Sequence, residues 1–493
     1  MDSLACLPCL QPTVTRTTLR QFSRIALAMV VMTGRVTMLG LSRWAGPGGS
    51  YRTVQRFFAT VIPWAVLFWV FFRHHVYRSE ETYLLGGDEV VVTKAGKTTH
   101  GLDRFFASLY GKPVPGLAFF ALSLVSIQRR RSFPIRVEQV VRSDAEKAAS
   151  KAKAAAKKLP PSSVKRYPGR PKGSKNKAKT EATLPPELGR IKRMIDALLH
   201  LIAASLSLTY VVLDGHFGNH HALAMARQCH LHLISKLRAD SALYWPYTGP
   251  YAGRGPRRKY GRKVQYDDLP VQYLQETTVE GHIQTRLYQT QLLHKEFAQP
   301  LNVVIIAKTN LRTQARAHVV LFSSDLDLAY APLVDYYSLR FQIEFNFRDA
   351  KQYWGLEDFM NVTPTGVTNA ANLSLFMVNV AYRLRTDIHQ HAPDYSVLDL
   401  KADCRGYKYV EETIKCFRKN LSRFYSPRFS TRSLAWAVFT PLNPPSAFRN
   451  WPRYWKSQNL FYSPRFSTRL LAWAVFMPLN PPSAFRSASD RHA

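Results

Sequence analysis

The sequence is short of acidic residues. It holds 33 Asp and Glu against 68 Lys and Arg, which gives a formal net charge of +35 over 493 residues. A charge of this sign and size attracts polyanions and sets the chain apart from ordinary metabolic enzymes. DNA is therefore the predicted partner, and an anionic membrane surface is the competing explanation.

Cysteine and long apolar runs are also scarce. Five cysteines make no disulfide framework, and Cys6-Leu-Pro-Cys9 has no second pair of zinc ligands nearby in the sequence. The longest apolar run, Val61 to Phe72, contains Pro63 and falls short of the about 20 residues that span a membrane. No signal peptide and no P-loop are evident. We therefore expect a protein of the reducing cytoplasm, associated with the nucleoid and not with a membrane.

Helical apolar spacing marks the start of the chain. Thr17–Met32, Val36–Trp44 and Tyr51–Thr60 are predicted helices, and Ser50 is placed to cap the third. Two helices joined by a short glycine-bearing turn are typical of a helix-turn-helix, although a plain helical bundle fits equally. The candidates for contact with the DNA groove are Arg52, Gln55 and Arg56.

From Tyr83 the pattern changes to short runs rich in Val, Leu, Ile and Phe, which predict strands. The predicted strands are Tyr83–Val92, Gly116–Ile127, Phe133–Val140, Leu208–Leu213, His230–Leu237, Leu301–Ala307 and His318–Phe322. A helix is predicted to begin near Asn219. Strands mixed with helices indicate the α/β class.

The most informative segment is Tyr337-Ser-Leu-Arg340-Phe-Gln-Ile-Glu344, followed by Lys351. On one continuous helix these four polar side chains would fall within an arc of about 60°, beside an apolar stripe that can pack on a core. An exposed face with an Arg340–Glu344 ion pair is one explanation. The other is a carboxylate held among cations, an arrangement that suits a metal beside a phosphate.

The spacing Tyr-x2-Arg-x3-Glu-x6-Lys resembles the signature of a large group of bacterial insertion-sequence DDE transposases. The resemblance implies an RNase H-like catalytic core with a β-rich insertion, preceded by an N-terminal helical DNA-binding domain. It also implies two Mg²⁺ ions, for which Mn²⁺ can substitute. The expected DNA partners are the terminal inverted repeats of an element and target DNA, and synapsis of two ends implies a homodimer.

Such chemistry needs two more carboxylates, because Mg²⁺ takes oxygen ligands from several elements. Asp214 follows the apolar run Tyr210-Val-Val-Leu213, although an aspartate before glycine is also common in turns. Asp88 lies within the first strand, with Glu89 on the opposite face.

By the resemblance, Asp88, Asp214 and Glu344 correspond to the metal-binding catalytic triad. Arg340 and Lys351 would then hold DNA phosphates, and Tyr337 would donate a hydrogen bond to one. The histidines after Asp214 are expected to be solvated or to face DNA, because only Cys229 could add a thiolate to a zinc site. These five histidines are His216, His220, His221, His230 and His232.

Two segments appear as insertions. Residues 143–193 are basic and poor in apolar side chains, which predicts a flexible linker. Within it, Gly169-Arg-Pro-Lys-Gly-Ser-Lys-Asn-Lys177 resembles an AT-hook whose Arg170 and Lys172 could contact DNA; a merely solvated basic linker is the alternative. In residues 240–325, Trp245 and Tyr260 are candidates either for stacking on an unpaired base or for simple packing.

The tail contains a near-perfect duplication. Phe424–Arg449 recurs as Phe461–Arg486 with differences only at Ser433/Leu470 and Thr440/Met477. Such close identity indicates a recent duplication of DNA, and two copies are too few for a solenoid. Our hypothesis is that a frameshift or read-through replaced the native C-terminus near Cys416.

The predicted function is cut-and-paste DNA transposition. An RNase H-fold nuclease that does not transpose and an inactive DNA-binding relic are the alternatives. The predicted segments are the helical domain 1–78, the core in three parts 79–142, 194–239 and 329–415, the linker 143–193, the insertion 240–328 and the tail 416–493.

Overall fold

The computed structural model describes residues 4–107, 110–148, 152, 184–251, 253 and 255–424, with side chains as far as residue 415. Arg170, Lys172 and the repeated tail from residue 425 therefore lie outside the described residues. The chain divides into the units Met1–Lys408 and Tyr409–Ala493, and the first contains the whole sheet and the candidate site.

The helices and strands alternate irregularly along the chain. The helices are α1 (Arg16–Val31), α2 (Met38–Trp44), α3 (Tyr51–Ala59), α4 (Trp64–His75), α5 (Pro186–Ile202), α6 (His220–Gln228), α7 (Tyr330–Leu339), α8 (Gln342–Trp354), α9 (Pro364–His389) and α10 (Val397–Phe424). The strands are β1 (Tyr83–Thr93), β2 (Asp103–Ala107), β3 (Lys112–Ser126), β4 (Arg131–Val140), β5 (Tyr210–Val212), β6 (His232–Leu237), β7 (Leu243–Pro246), β8 (Tyr260–Lys263), β9 (Leu274–Glu280), β10 (Ile283–His294), β11 (Leu301–Asn310) and β12 (Arg316–Ser323).

The centre of the molecule is a mixed sheet in the order β4-β3-β1-β5-β6. Strand β3 is antiparallel to β1 and β4, whereas β5 is parallel to β1 and β6. Alternate residues of β1 are buried on opposite faces, so that Leu84 packs with Leu333 and Leu339 of α7 while Leu85 belongs to the larger core on the other face. A sheet that is buried on both faces needs helices on both sides. This arrangement is that of an RNase H-like nuclease core, and the predicted fold class is confirmed.

Strands β7 to β12 lie between β6 and α7 and extend the same sheet. Strand β12 pairs with β6, and β11 and β10 follow, with β7 and β9 both paired to β10. The predicted strands Leu301–Ala307 and His318–Phe322 lie within β11 and β12. Strand β9 has no buried residue, which is why an apolar pattern could not predict it.

The first three N-terminal helices, α1 to α3, begin at residues whose side chains cap them. Ser50 accepts a hydrogen bond from the Thr53 amide at the start of α3, which confirms the predicted cap. The helices share their core with α9, since the Phe22 and Phe376 rings lie 5.3 Å apart. Among the described residues no single helix could cross a membrane, while α3 and α4 reach the length only as a pair bent by 101°.

The predicted basic linker ends too late. Helix α5 begins at Pro186, so the last residues of the segment 143–193 are helical. The reason is the apolar spacing of Leu188, Ile191 and Ile195, which are buried in the core. The charge count averaged over residues 143–193 did not reveal the apolar face of this helix at the end of the segment.

Candidate active site

Asp88 lies in the middle of β1, directly after two glycines. A Cβ atom on Gly86 would lie 2.5 Å from Ile343 Cδ1, and one on Gly87 would lie 2.9 Å from Leu213 Cδ2. Such distances are shorter than real contacts, so any larger residue would push these neighbours away. Gly86 therefore lets α8 lie close against β1, while Gly87 leaves room for Leu213 beyond β5.

Asp214 comes two residues after the end of β5, at the level of Asp88. The parallel register pairs Leu85 with Val211 and Gly86 with Val212, so its continuation places Asp88 beside Asp214. The Asp214 carboxylate also caps a short 3-10 turn, where it accepts a hydrogen bond from the His216 amide at 3.1 Å. Asp214 is therefore a turn residue whose charge lies near Asp88. Its part in a metal site stays a prediction.

The signature segment is not one continuous helix. Helix α7 ends at Leu339 and α8 begins at Gln342, while Arg340 and Phe341 keep helical dihedral angles between them. The backbone hydrogen bonds here join residues three apart, for example from the Arg340 amide to the Tyr337 carbonyl at 3.3 Å. The prediction of an uninterrupted helix was wrong, because a tight turn of 3-10 type separates the two helices.

Arg340 joins two of the three predicted carboxylates. One guanidinium nitrogen donates to Asp88 Oδ2 and another to Glu344 Oε1, each at 3.0 Å. The side chains of Arg340 and Asp88 are 15% and 19% exposed, whereas that of Glu344 is 42% exposed. The structure thus brings Asp88, Glu344 and Arg340 into direct contact, with Asp214 as a neighbouring charge.

Burial and crowding of negative charge control the acidity of the site. Burial raises the pKa of Asp88 to about 6, Arg340 lowers it, and the charges of Asp214 and Glu344 raise it further. Burial likewise raises the pKa of Glu344 despite its pairing with Arg340. Pairing with a cation favours the ionised form, but desolvation outweighs it here.

Tyr337 lies beside Arg340 with its phenol largely buried. Burial raises the pKa of Tyr337 to about 12, and the nearby Asp214 and Asp88 carboxylates add to the rise while Arg340 opposes it. The phenol therefore stays protonated at neutral pH and keeps a hydrogen to donate.

Lys351 is not part of the carboxylate cluster. Its ammonium donates to the Val91 carbonyl at 3.1 Å and pairs with Glu357 Oε1 at 2.9 Å. Lys351 pairs with Glu357 and not with Glu344, because seven residues of the same helix place the two side chains about 10 Å apart along its axis. Its partner Glu357 was not predictable from residue spacing.

The other predicted contact residues lie elsewhere. Arg52, Gln55 and Arg56 are exposed on α3, opposite its buried Val54 and Phe57. Trp245 stacks on Tyr273 with ring centroids 4.8 Å apart, and Tyr260 packs edge-on against Tyr244 at 5.5 Å. Both aromatic candidates therefore make packing contacts within the insertion.

The donor set of the cluster fits a hard divalent cation. Asp88, Asp214 and Glu344 offer carboxylate oxygens from two strands and a helix, which are the ligands such ions prefer. Within the part of the chain that the structure describes, however, no three His, Cys, Asp or Glu side chains already surround one point as ligands. Arg340 contacts one oxygen of Asp88 and one of Glu344, so a cation that took these two oxygens would displace the guanidinium.

The family described as DDE superfamily endonuclease matches residues 9–299, and the chain belongs to this family. Together with the fold, this match defines a nuclease-type enzyme that acts on DNA. The matched segment contains Asp88 and Asp214 and ends before α7 and α8. Nucleases of this superfamily generally use divalent metals. No curated protein matches the sequence.

Proposed function

We propose that the chain is an insertion-sequence transposase that binds the terminal inverted repeats of its element, cuts there and joins the freed end to target DNA. One observation carries the proposal: carboxylates from β1, from the end of β5 and from the start of α8 meet around Arg340. These residues lie far apart in the sequence, and their convergence beside a buried cation suits work on a phosphodiester.

Asp88, Asp214 and Glu344 would hold two Mg²⁺ ions, or Mn²⁺ in their place. When bound, the ions would activate the attacking oxygen and stabilise the leaving one. The chain's own residues prepare this state. Arg340 exchanges its carboxylate partners for an oxygen pair of a DNA phosphate, which its planar guanidinium can bind bidentately. Tyr337 donates its phenolic hydrogen to a phosphate near the cut bond.

The remaining contacts with DNA are proposed on charge and exposure. Arg52 and Arg56 of the N-terminal helices face solvent, and Arg170 and Lys172 belong to the basic segment between β4 and α5. Lys351 holds a phosphate further along the strand. Two copies of the chain would bring two element ends together, in the cytoplasm at the nucleoid.

The test is a cleavage and joining assay on DNA that carries the element's own ends, with Mg²⁺ and with EDTA. The proposal expects metal-dependent nicks at the element boundary and products in which the freed 3′-hydroxyl is joined to target DNA. Nicks without joined products would indicate a nuclease of the same fold. Binding without any cut would contradict the enzymatic function and indicate a relic.

A further inference from the structure

Three cationic side chains follow β1 away from the carboxylates. Arg340 contacts Asp88, Lys351 donates to the Val91 carbonyl, and Lys94 comes directly after the strand. Positions three residues apart on a strand are about 10 Å apart. The cations therefore span about 20 Å along the strand, which equals about six nucleotides of one strand of a B-form duplex.

An open groove of about 810 Å³ lies at the end of this row. Its walls come from the segment after β1, from residues around Tyr110 and Pro115, and from the loop that follows α8. Glu357 lines the groove and also pairs with Lys351, so the row of cations leads into it. A cavity of this volume is large enough for a nucleotide.

The acidic groups of the groove are already paired. Glu357 is held by Lys351, and Asp358 Oδ1 accepts from Arg35 Nε at 3.2 Å. Lys94 fixes the wall by donating to the carbonyls of Glu357 and Phe359 at 3.1 and 2.7 Å. The groove is lined by two cations, Arg35 and Lys94, and two carboxylates, Glu357 and Asp358. Lys351 pairs with Glu357 from outside the lining and adds one positive charge, which complements a phosphate.

Large apolar side chains are exposed in the same groove. Tyr110 is 52% exposed, Met360 66% and Val362 48%. Clustered exposed apolar residues mark interaction sites. Such a face can contact the base of a nucleotide while the neighbouring cations contact its phosphate.

We propose that this groove binds an unstacked nucleotide of the DNA strand that runs from the carboxylates along β1. Arg35 contacts its phosphate, and Tyr110 and Met360 contact its base. The inference rests on the proposed function, because it takes the carboxylate site as the place where the DNA strand enters.

The test measures binding in EDTA, where no cleavage occurs, with two fluorescent probes. One is a blunt DNA duplex and the other is the same duplex with a single-stranded thymidine overhang. Wild type binds the overhang probe more tightly. Tyr110→Ala and the highly exposed Met360→Ala each weaken binding of the overhang probe by about five- to a hundred-fold, the usual effect of losing one stacked base, and leave the blunt duplex unchanged.

The matched control is Tyr407→Ala, which removes a tyrosine 58% exposed on α10 and leaves both affinities unchanged. Arg35→Gln weakens binding of the overhang probe. It also lowers the slope of log affinity against log salt by about 0.7, which corresponds to the loss of one phosphate contact on a single strand. Arg35→Lys keeps the wild-type slope.

The inference is overturned if Tyr110→Ala and Met360→Ala both bind the overhang probe as tightly as wild type does. It is also overturned if either variant loses the same affinity for the blunt duplex as for the overhang probe. Cleavage by wild type with Mg²⁺ is measured separately, so failure of the groove is distinguishable from failure of the proposed function.

Discussion

At the scale of the residue, Arg340 is the cation that holds the carboxylates of the candidate site together. Its guanidinium lies between Asp88 and Glu344 and offsets part of their mutual repulsion. The four signature residues could be found from their spacing alone. Their contacts could not, because the partner of Lys351 depends on a turn after α8 that no spacing rule specifies.

Replacing Arg340 by Gln should destabilise the protein at neutral pH. The change leaves the half-buried Asp88 and the more exposed Glu344 without their cation, and we expect the free energy of unfolding at pH 7 to fall by about 1–3 kcal/mol. Mg²⁺ should raise the Tm of Arg340→Gln more than that of wild type, because a bound cation replaces the lost charge. An equal shift in both proteins would contradict this account of the site.

The same variant has a definite pH dependence. The pKa of Asp88 rises from 3.8 to about 6 on folding, so the folded state favours the protonated form. Its ionisation therefore costs stability progressively as pH rises through this window. The defect of Arg340→Gln should be larger at pH 7 than at pH 5, as measured by denaturant unfolding at both values. A defect that does not depend on pH would show that Asp88 is not the group concerned.

At the scale of the element, the position of α8 on β1 sets the distance between the carboxylates. The strands rich in Val, Leu and Phe were predictable because their apolar runs are buried on both faces. The exposed β9 and the edge strand β2 were not, since polar strands at an edge carry no such pattern. Gly86 could have indicated the close crossing of α8, because glycine inside a strand often marks close approach of another segment.

A methyl group at Gly86 should push α8 outward. We expect Gly86→Ala to lower stability by about 1–3 kcal/mol and to reduce cleavage more than DNA binding, because Glu344 moves with the helix. Adding Ile343→Val, which removes the clashing Cδ1 atom, should restore part of both losses. The control is Gly406→Ala on α10, where a Cβ meets nothing within 4 Å and a gain in helix stability is expected. Absence of rescue in the double variant would contradict the crossing argument.

At the scale of the whole molecule, one unit carries the helical N-terminus, the core and the β-rich insertion. The mixed α/β class followed from the order of strand and helix patterns. The shared core of the N-terminal helices and α9 did not, because packing between distant segments leaves no trace in local periodicity.

The repeated tail is predicted to be dispensable for folding and for DNA binding. A chain truncated after Leu421 should unfold at the same Tm as the full chain. It should also bind DNA with comparable affinity at matched salt, allowing for the lost basic residues, because the core and the candidate site lie upstream. Circular dichroism measures the Tm, and fluorescence anisotropy measures the affinity for DNA. Loss of the folded core on truncation would mean that the tail is part of the native structure.

The central claim is that Asp88, Asp214 and Glu344 form a metal-dependent active site on DNA. The most direct measurement is Mg²⁺-dependent nicking of the element's ends by Glu344→Gln, beside wild type and the exposed control Glu80→Gln. The account predicts that Glu344→Gln binds the DNA as wild type does and cuts at least about a hundred-fold more slowly, while Glu80→Gln cuts normally. Equal cutting by Glu344→Gln and wild type would remove Glu344 from the mechanism and contradict the account.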